Sequence, residues 1–224
     1  MKLKLLLRFL PSFLNHTVKY ITNFFSIPHF ISIFAEKIKG LKIKISYNSP
    51  VVLSFSILAS AVFLMQYMTS SIGYGWFHLP GHFQHANIIS YFQLFSYPLG
   101  HASTEHLIGN LSFILLLGPV LEEKYGSKKL LMMIMSTTLI TAILHILFFS
   151  ASLLGASGVV FLFIMLISFT NASDGTIPLS FILIFLLFVG KEVINSFAQD
   201  NVSQFAHIIG GICGSMFGYL RIKK

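Results

Sequence analysis

The sequence predicts an all-α membrane protein built as a bundle of six transmembrane helices. Of its 224 residues, 55% are hydrophobic and only 10% are charged. Its 24 Phe are more than one water-soluble core of this size can bury, so the lipid bilayer is the expected solvent and partner. A chain that spans lipid must satisfy its own backbone hydrogen bonds, which favours helices.

The net charge of +8 is distributed as in membrane proteins. Lys and Arg crowd into residues 1–50, the loop 124–129 and the C-terminal tail, whereas the loops 73–105, 150–156 and 195–205 have none. The positive-inside rule then predicts six crossings with both termini cytoplasmic. This distribution argues against a nucleic-acid partner.

Residues 1–50 are predicted to be a basic cytoplasmic or interfacial segment that precedes a helical domain of residues 51–222. The segment holds eight Lys and Arg against one acid, Glu36. Its apolar stretch Ile21–Ala35 contains Pro28 and is short for a membrane span, which suits an interfacial helix. A cleavable signal is a weaker alternative, because no small-residue cleavage site follows Leu14 clearly.

The predicted spans differ in length. The fourth, at about 14 residues, is short of the usual ~20, so its start should lie below the membrane surface, inside the bundle. The six spans are roughly Val51–Ile72, His106–Leu121, Leu130–Phe149, Ser157–Thr170, Ile177–Val193 and Ala206–Leu220.

Four polar residues at membrane depth are the candidate functional residues, because such residues are costly in lipid. His106 and Asn110 are four positions apart and share a helical face. Ser157 begins the fourth span and His207 begins the sixth.

A glycine strip on the sixth span suggests how Ser157 and His207 meet. Gly210 and Gly214 follow His207, with Gly218 four residues further, and small residues let helices approach closely. If Gly158 faces this strip, the serine and the histidine lie at the same depth.

A serine and a histidine in contact predict nucleophilic catalysis. The histidine accepts the serine proton during attack on a carbonyl, and the resulting oxyanion needs donors. Asn110, His106 and the backbone N–H groups at the start of the fourth span are candidates. A Ser–His dyad is the favoured interpretation, and Asp200 is left open as an orienting group.

Other chemistries find less support. The serine stretch lacks the G-x-S-x-G pattern, and the chain has no H-E-x-x-H motif. One cysteine, Cys213, excludes an intrachain disulfide and a cysteine-based metal site. His78, His82 and His85 could suggest a metal site, but an interfacial loop is the preferred interpretation, and no metal or cofactor is expected.

These motifs, taken in order, resemble the rhomboid family of intramembrane serine proteases over about residues 50–222. The motif G-x-S-G appears as Gly155-Ala156-Ser157-Gly158. "YFQLFSYPLGH" and "LEEKYGS" resemble the runs before and after the second span. Two further patterns match at His101, His106 and Asn110, and at His207, Gly210 and Gly214.

The resemblance implies a rhomboid-like bundle of six helices with a cavity that opens outward. It implies Ser157 as nucleophile, His207 as general base and then acid, and an oxyanion site from Asn110, His106 and the Ser157 amide. Phe161 matches the position of a ring that packs on the histidine. The first loop would lie partly in the outer leaflet, and the fifth span with its following loop would be gate and cap.

The implied reaction is cleavage of single-pass membrane proteins near the outer end of their transmembrane helix, without a cofactor. The implied location is a membrane, best a bacterial plasma membrane, with organelle membranes left open. The oligomeric state and the substrate are not predicted.

The sequence departs from the family pattern at two places, and each departure leads to a prediction. Phe92-Gln93 stand where a Trp-Arg pair is frequent, which questions how the first loop is anchored. Leu162 and Met165 stand where the family has small residues, so looser or shifted packing on the glycine strip is expected.

Simpler interpretations remain open for each residue. Ser157 could be simply a small residue that lets two helices touch. His207, His106 and Asn110 could serve simply to hold the bundle together. His101 is interpreted as structural, with a hydrogen bond to loop backbone, and Glu122 as a brace for the turn before Gly126.

Two other functions also remain open. A non-catalytic relative would bind membrane helices and route them for degradation or trafficking. Loss of Ser157 or His207 would favour this interpretation, and both residues are present. A transporter or channel would show paired charges or inverted repeats, and neither is visible.

Overall fold

The computed structural model describes residues 46–69, 75–170, 172, 176–196 and 201–222, and Tyr47 onward forms one compact unit. The predicted N-terminal segment up to residue 45 and Asp200 lie outside the described residues.

Within these described ranges the secondary structure is helical. The helices are α1 (Pro50–Thr69), α2 (Ile88–Ser96), α3 (Thr104–Tyr125), α4 (Ser127–Phe148), α5 (Ser157–Ile167), α6 (Leu179–Ser196) and α7 (Asn201–Ile222), with a 3₁₀ turn at Tyr97–Leu99.

Three of these helices, α1, α3 and α4, are long and apolar enough to cross a membrane. The apolar helix α5 and the apolar part of α6, Leu179–Lys191, are shorter than a usual span. Each predicted span coincides with a helix, although the number of crossings stays a prediction. The helix α2 was not predicted, because its region reads as a connection.

The loop before α2 is anchored by the residues whose role was in question. Gln93 donates to the carbonyl oxygen of Gly75, and the Phe92 ring packs edge-on against the rings of Trp76 and Phe77. Ser96 donates to the Trp76 carbonyl oxygen at 2.6 Å. Phe92-Gln93 therefore holds the loop in place of the Trp-Arg pair.

Glu122 joins α3 to α1. Its buried carboxylate accepts hydrogen bonds from the N–H groups of Val51 and Val52, each at 3.0 Å. These N–H groups begin α1 and have no partner within that helix, so Glu122 is its cap. The predicted brace of the turn before Gly126 is made by the Glu122 backbone oxygen, which accepts from the Gly126 N–H. The cap on α1 made by its side chain was not predicted.

The helix α5 lies in the core and packs most extensively on α7. Its residues from Val159 to Met165 are all buried, as is Leu166. Such all-round burial is typical of a helix at the centre of a bundle.

The seam between α5 and α7 is close, so it lacks the looser packing that was one of the two expectations, and the alternative of shifted packing stays a prediction. A Cβ atom added at Gly210 would lie 2.1 Å from the Gly158 oxygen, and one added at Gly214 would lie 2.5 Å from the Leu162 oxygen. Gly214 meets the backbone of Leu162, so the bulk of that side chain does not hold the helices apart.

Candidate active site

Ser157 is the first residue of α5 and its side chain is half-buried. The first backbone bond of this helix runs from the Val160 N–H to the Ala156 oxygen. The N–H groups of residues 157–159 therefore have no partner within the helix, and they carry its positive dipole end. The start of α5 can bind negative charge beside the serine hydroxyl.

The segment before Ser157 is held by backbone hydrogen bonds. Leu153 pairs with Leu79 through two bonds of 2.7 and 2.9 Å, and the Gly155 N–H donates to the Tyr97 oxygen at 3.0 Å. Gly155 has φ +109°, which side chains rarely permit. This glycine lets the chain turn sharply into α5 and present Ser157.

His207 of α7 lies against the face of α5 that carries Ser157. Its imidazole stacks on the Phe161 ring, with centroids 4.4 Å apart and planes 5° from parallel. Phe161 is four residues after Ser157, so the two share one helical face. Phe188 of α6 packs edge-on against the same Phe161 ring.

His106 of α3 closes the site from the other side. A Cβ atom added at Gly155 would lie 2.6 Å from the His106 ring. The imidazoles of His106 and His207 are close enough to interact electrostatically. The absence of a side chain at Gly155 thus gives His106 its place beside the start of α5.

Asn110 is buried and its orientation is set by His101. The Asn110 Nδ2 atom lies 3.1 Å from His101 Nε2, and His101 Nδ1 lies 3.2 Å from the Leu99 oxygen. A carbonyl oxygen only accepts, so Nδ1 carries the hydrogen and Nε2 accepts from the Asn110 amide. A second amide hydrogen of Asn110 remains for another acceptor.

Burial of His101 maintains the hydrogen bond that its ring accepts from Asn110. Burial lowers the pKa of His101 to about 4, so the imidazole is neutral at neutral pH. A neutral ring can accept from Asn110, whereas a protonated ring cannot. The predicted contact of His101 with loop backbone is present.

The structure thus gathers most of the predicted site residues around the start of α5. Ser157, Gly155, Phe161, His106 and His207 surround it, and Asn110 is connected through His101. Gly158, Gly210 and Gly214 form the seam between α5 and α7. Among the described residues, no three His, Cys, Asp or Glu side chains form a group suited to a metal ion.

The sequence missed Tyr97 as a supporting residue. Its carbonyl oxygen holds Gly155, and its buried hydroxyl donates to the Thr138 oxygen. Any residue type could supply the backbone oxygen that holds Gly155, so no sequence signal could reveal this role of Tyr97.

This arrangement is typical of a serine hydrolase whose site lies inside a helical membrane bundle. A sequence model described as the rhomboid domain matches residues 89–224, which is more than half of the chain. The rhomboid protease GlpG of Haemophilus influenzae is 28% identical over 131 residues, which cover 57% of this chain and 68% of that protein.

The chain belongs to the rhomboid family. It is an integral membrane protein and a serine-type intramembrane endopeptidase.

Proposed function

We propose that Ser157 and His207 form a catalytic dyad that cleaves transmembrane segments of membrane proteins near the outer membrane face. The observation that carries this proposal is the stack of His207 on Phe161, one turn after Ser157. The close seam at Gly158 and Gly210 supports it, because Gly158 follows Ser157 directly and Gly210 is one turn after His207.

In the proposed mechanism, His207 takes the hydroxyl proton of Ser157 as the oxygen attacks the peptide carbonyl carbon. His207 then gives this proton to the leaving amine, and a water molecule hydrolyses the acyl-enzyme by the same two steps. The half-exposed positions of both side chains are compatible with access for water.

The developing oxyanion needs donors that are already in place. The Ser157 N–H, the second amide hydrogen of Asn110 and a ring N–H of His106 are the proposed donors. The bond from Asn110 to His101 keeps the amide from rotating, so the site does not need to reorganise during the reaction.

The proposed substrates are single-pass membrane proteins. Their helices must unwind locally to present a peptide bond, so helix-breaking residues and a small residue before the cut are expected. The helix α6 and the loop after it are the proposed gate, and Phe188 places α6 beside the ring that supports His207.

The proposed topology has six crossings and cytoplasmic termini, in a bacterial plasma membrane. It follows from the distribution of Lys and Arg, with residues 1–50 as a basic cytoplasmic or interfacial segment and residues 51–222 as the protease domain.

The test is cleavage of a tagged single-pass protein in liposomes by wild type, Ser157→Ala and His207→Ala. Ser215→Ala and His82→Ala are matched controls, since Ser215 donates to its own helix and His82 is exposed. We expect cleavage by the wild type and both controls, and none by either dyad variant.

A fluorophosphonate probe separates the remaining outcomes. Labelling of wild type that is lost in Ser157→Ala supports the nucleophile. Cleavage that survives both dyad substitutions refutes the dyad. A wild type that neither cuts nor reacts with the probe favours the non-catalytic helix-binding function.

A further inference from the structure

A second concave feature lies away from Ser157. It is a groove of about 570 Å³ between α1, α4 and the turn after α2, and no residue of α5 or α7 lines it. This volume is in the range of small-molecule sites, ~300–1,000 Å³. Its walls are mostly apolar and include Val51, Leu58, Phe92, Pro98, Leu131 and Met135.

The shape of the groove matches one leaflet of a bilayer. Along α4 it runs from Ser127 to Thr138, which is about 16 Å at 1.5 Å per residue. Half of a hydrocarbon core of ~30 Å has nearly the same length. Leu58, Phe92 and Leu131 are 53%, 47% and 46% exposed, so the groove opens sideways, where lipid surrounds the helices.

One end of the groove is positively charged. Ser127 lines it and begins α4, and the exposed Lys128 follows on the adjacent face, whereas the exposed Lys129 lies on the opposite side of α4. The N-terminal end of a helix also favours negative charge. The carboxylate of Glu122 is bound to amides of α1, and the exposed Glu123 lies on α3, outside the groove lining.

We propose that this groove binds one acyl chain of an anionic phospholipid, whose headgroup lies at Lys128 and the start of α4. The lipid belongs to the leaflet on the side where α1 and α4 begin. The apolar walls, the length of one leaflet and the charge at one end all fit this ligand.

The bound acyl chain would pack against the turn that supports the active site. Pro98 and Leu99 line the groove, and the same turn supplies the Tyr97 oxygen to Gly155 and the Leu99 oxygen to His101. Lipid binding itself does not depend on the proposed catalytic dyad.

Native mass spectrometry of the delipidated full-length protein in detergent tests the proposal. Phosphatidylglycerol and phosphatidylcholine with identical acyl chains are the probes. We expect the wild type to retain phosphatidylglycerol at higher occupancy than phosphatidylcholine. The variant Lys128→Gln should lose affinity for phosphatidylglycerol by about fivefold, whereas Lys129→Gln, on the opposite side of α4, should not.

A second pair of variants tests the groove itself. Leu131→Trp fills it and should lower the retention of both lipids, while Leu116→Trp, at a 70% exposed position of α3, should not. Equal retention of the two lipids by wild type overturns the headgroup site. Equal effects of the two tryptophan variants overturn the acyl-chain site.

A substrate site at the groove is a third, distinguishable outcome. In that case Leu131→Trp raises the KM of cleavage and leaves lipid retention unchanged, which also overturns the proposal.

Discussion

The substitution Gly210→Ala adds one methyl group where α7 is closest to α5. The new Cβ atom would lie 2.1 Å from the Gly158 oxygen, and ordinary van der Waals contact begins at 3.4 Å. The obstacle is backbone, which cannot rotate away as a side chain does. The two helices must therefore separate locally by up to about 1.3 Å, the difference between these distances.

This separation falls between the proposed dyad residues, because Gly158 follows Ser157 and Gly210 is one turn after His207. A misplacement of about 1 Å costs roughly 100-fold in rate. We expect kcat to fall by about 10- to 100-fold, and overpacking to cost about 1–3 kcal/mol of stability. Initial cleavage rates in liposomes and the Tm in detergent measure the two effects.

Two glycines provide matched controls. Gly109→Ala on α3 places its Cβ atom in open space and should keep kcat unchanged, with a slightly higher Tm. Gly218→Ala meets the Phe169 ring at 2.3 Å, three turns along α7 from His207, and should lower the Tm alone. If Gly210→Ala keeps the wild-type kcat while its Tm falls like that of Gly218→Ala, the reasoning is refuted.

Three further substitutions test single contacts. Gly155→Ala should lower kcat by at least about tenfold in the liposome assay, because φ is +109° and the new atom would meet His106 at 2.6 Å; an unchanged kcat contradicts this. Glu122→Ala should cost about 1–3 kcal/mol, seen as a lower Tm, because two amides of α1 lose their partner, whereas the exposed Glu123→Ala should be nearly neutral. Burial lowers the pKa of His101 to about 4, so the unfolded chain binds a proton between pH ~6.5 and 4 that the folded protein excludes. The Tm of wild type should therefore fall more steeply than that of His101→Gln over this range, by up to about 3 kcal/mol in stability, and parallel curves would contradict the assignment.

The site shows where sequence reasoning succeeded and where it stopped. Helical spacing placed Asn110 on the face of His106, and the stack on His207 was expected at Phe161. The link from Asn110 through His101 to the Leu99 oxygen was not predicted in full. It depends on a side-chain orientation that spacing along one helix does not determine.

The helix α2 shows a second limit. Its apolar positions are interrupted by Ser90, Gln93 and Ser96, which are buried, and a sequence pattern reads such residues as a connection. Two of them donate to backbone of the preceding loop. Partners 18 and 20 residues away satisfy these groups, so the pattern within the helix carries no sign of them.

The sequence by itself determined the class of this protein. Hydrophobic composition, span positions and the order of the serine, histidine and glycine motifs are properties of the chain alone, and they indicated a membrane-embedded protease. The tertiary structure decided which atoms meet. Glu122 caps a helix through an amide 71 residues before it, Tyr97 holds Gly155, and Leu162 fits against Gly214 through its backbone. Such contacts join distant segments through packing and backbone groups, which are the same for almost every residue type and so leave no pattern in the sequence.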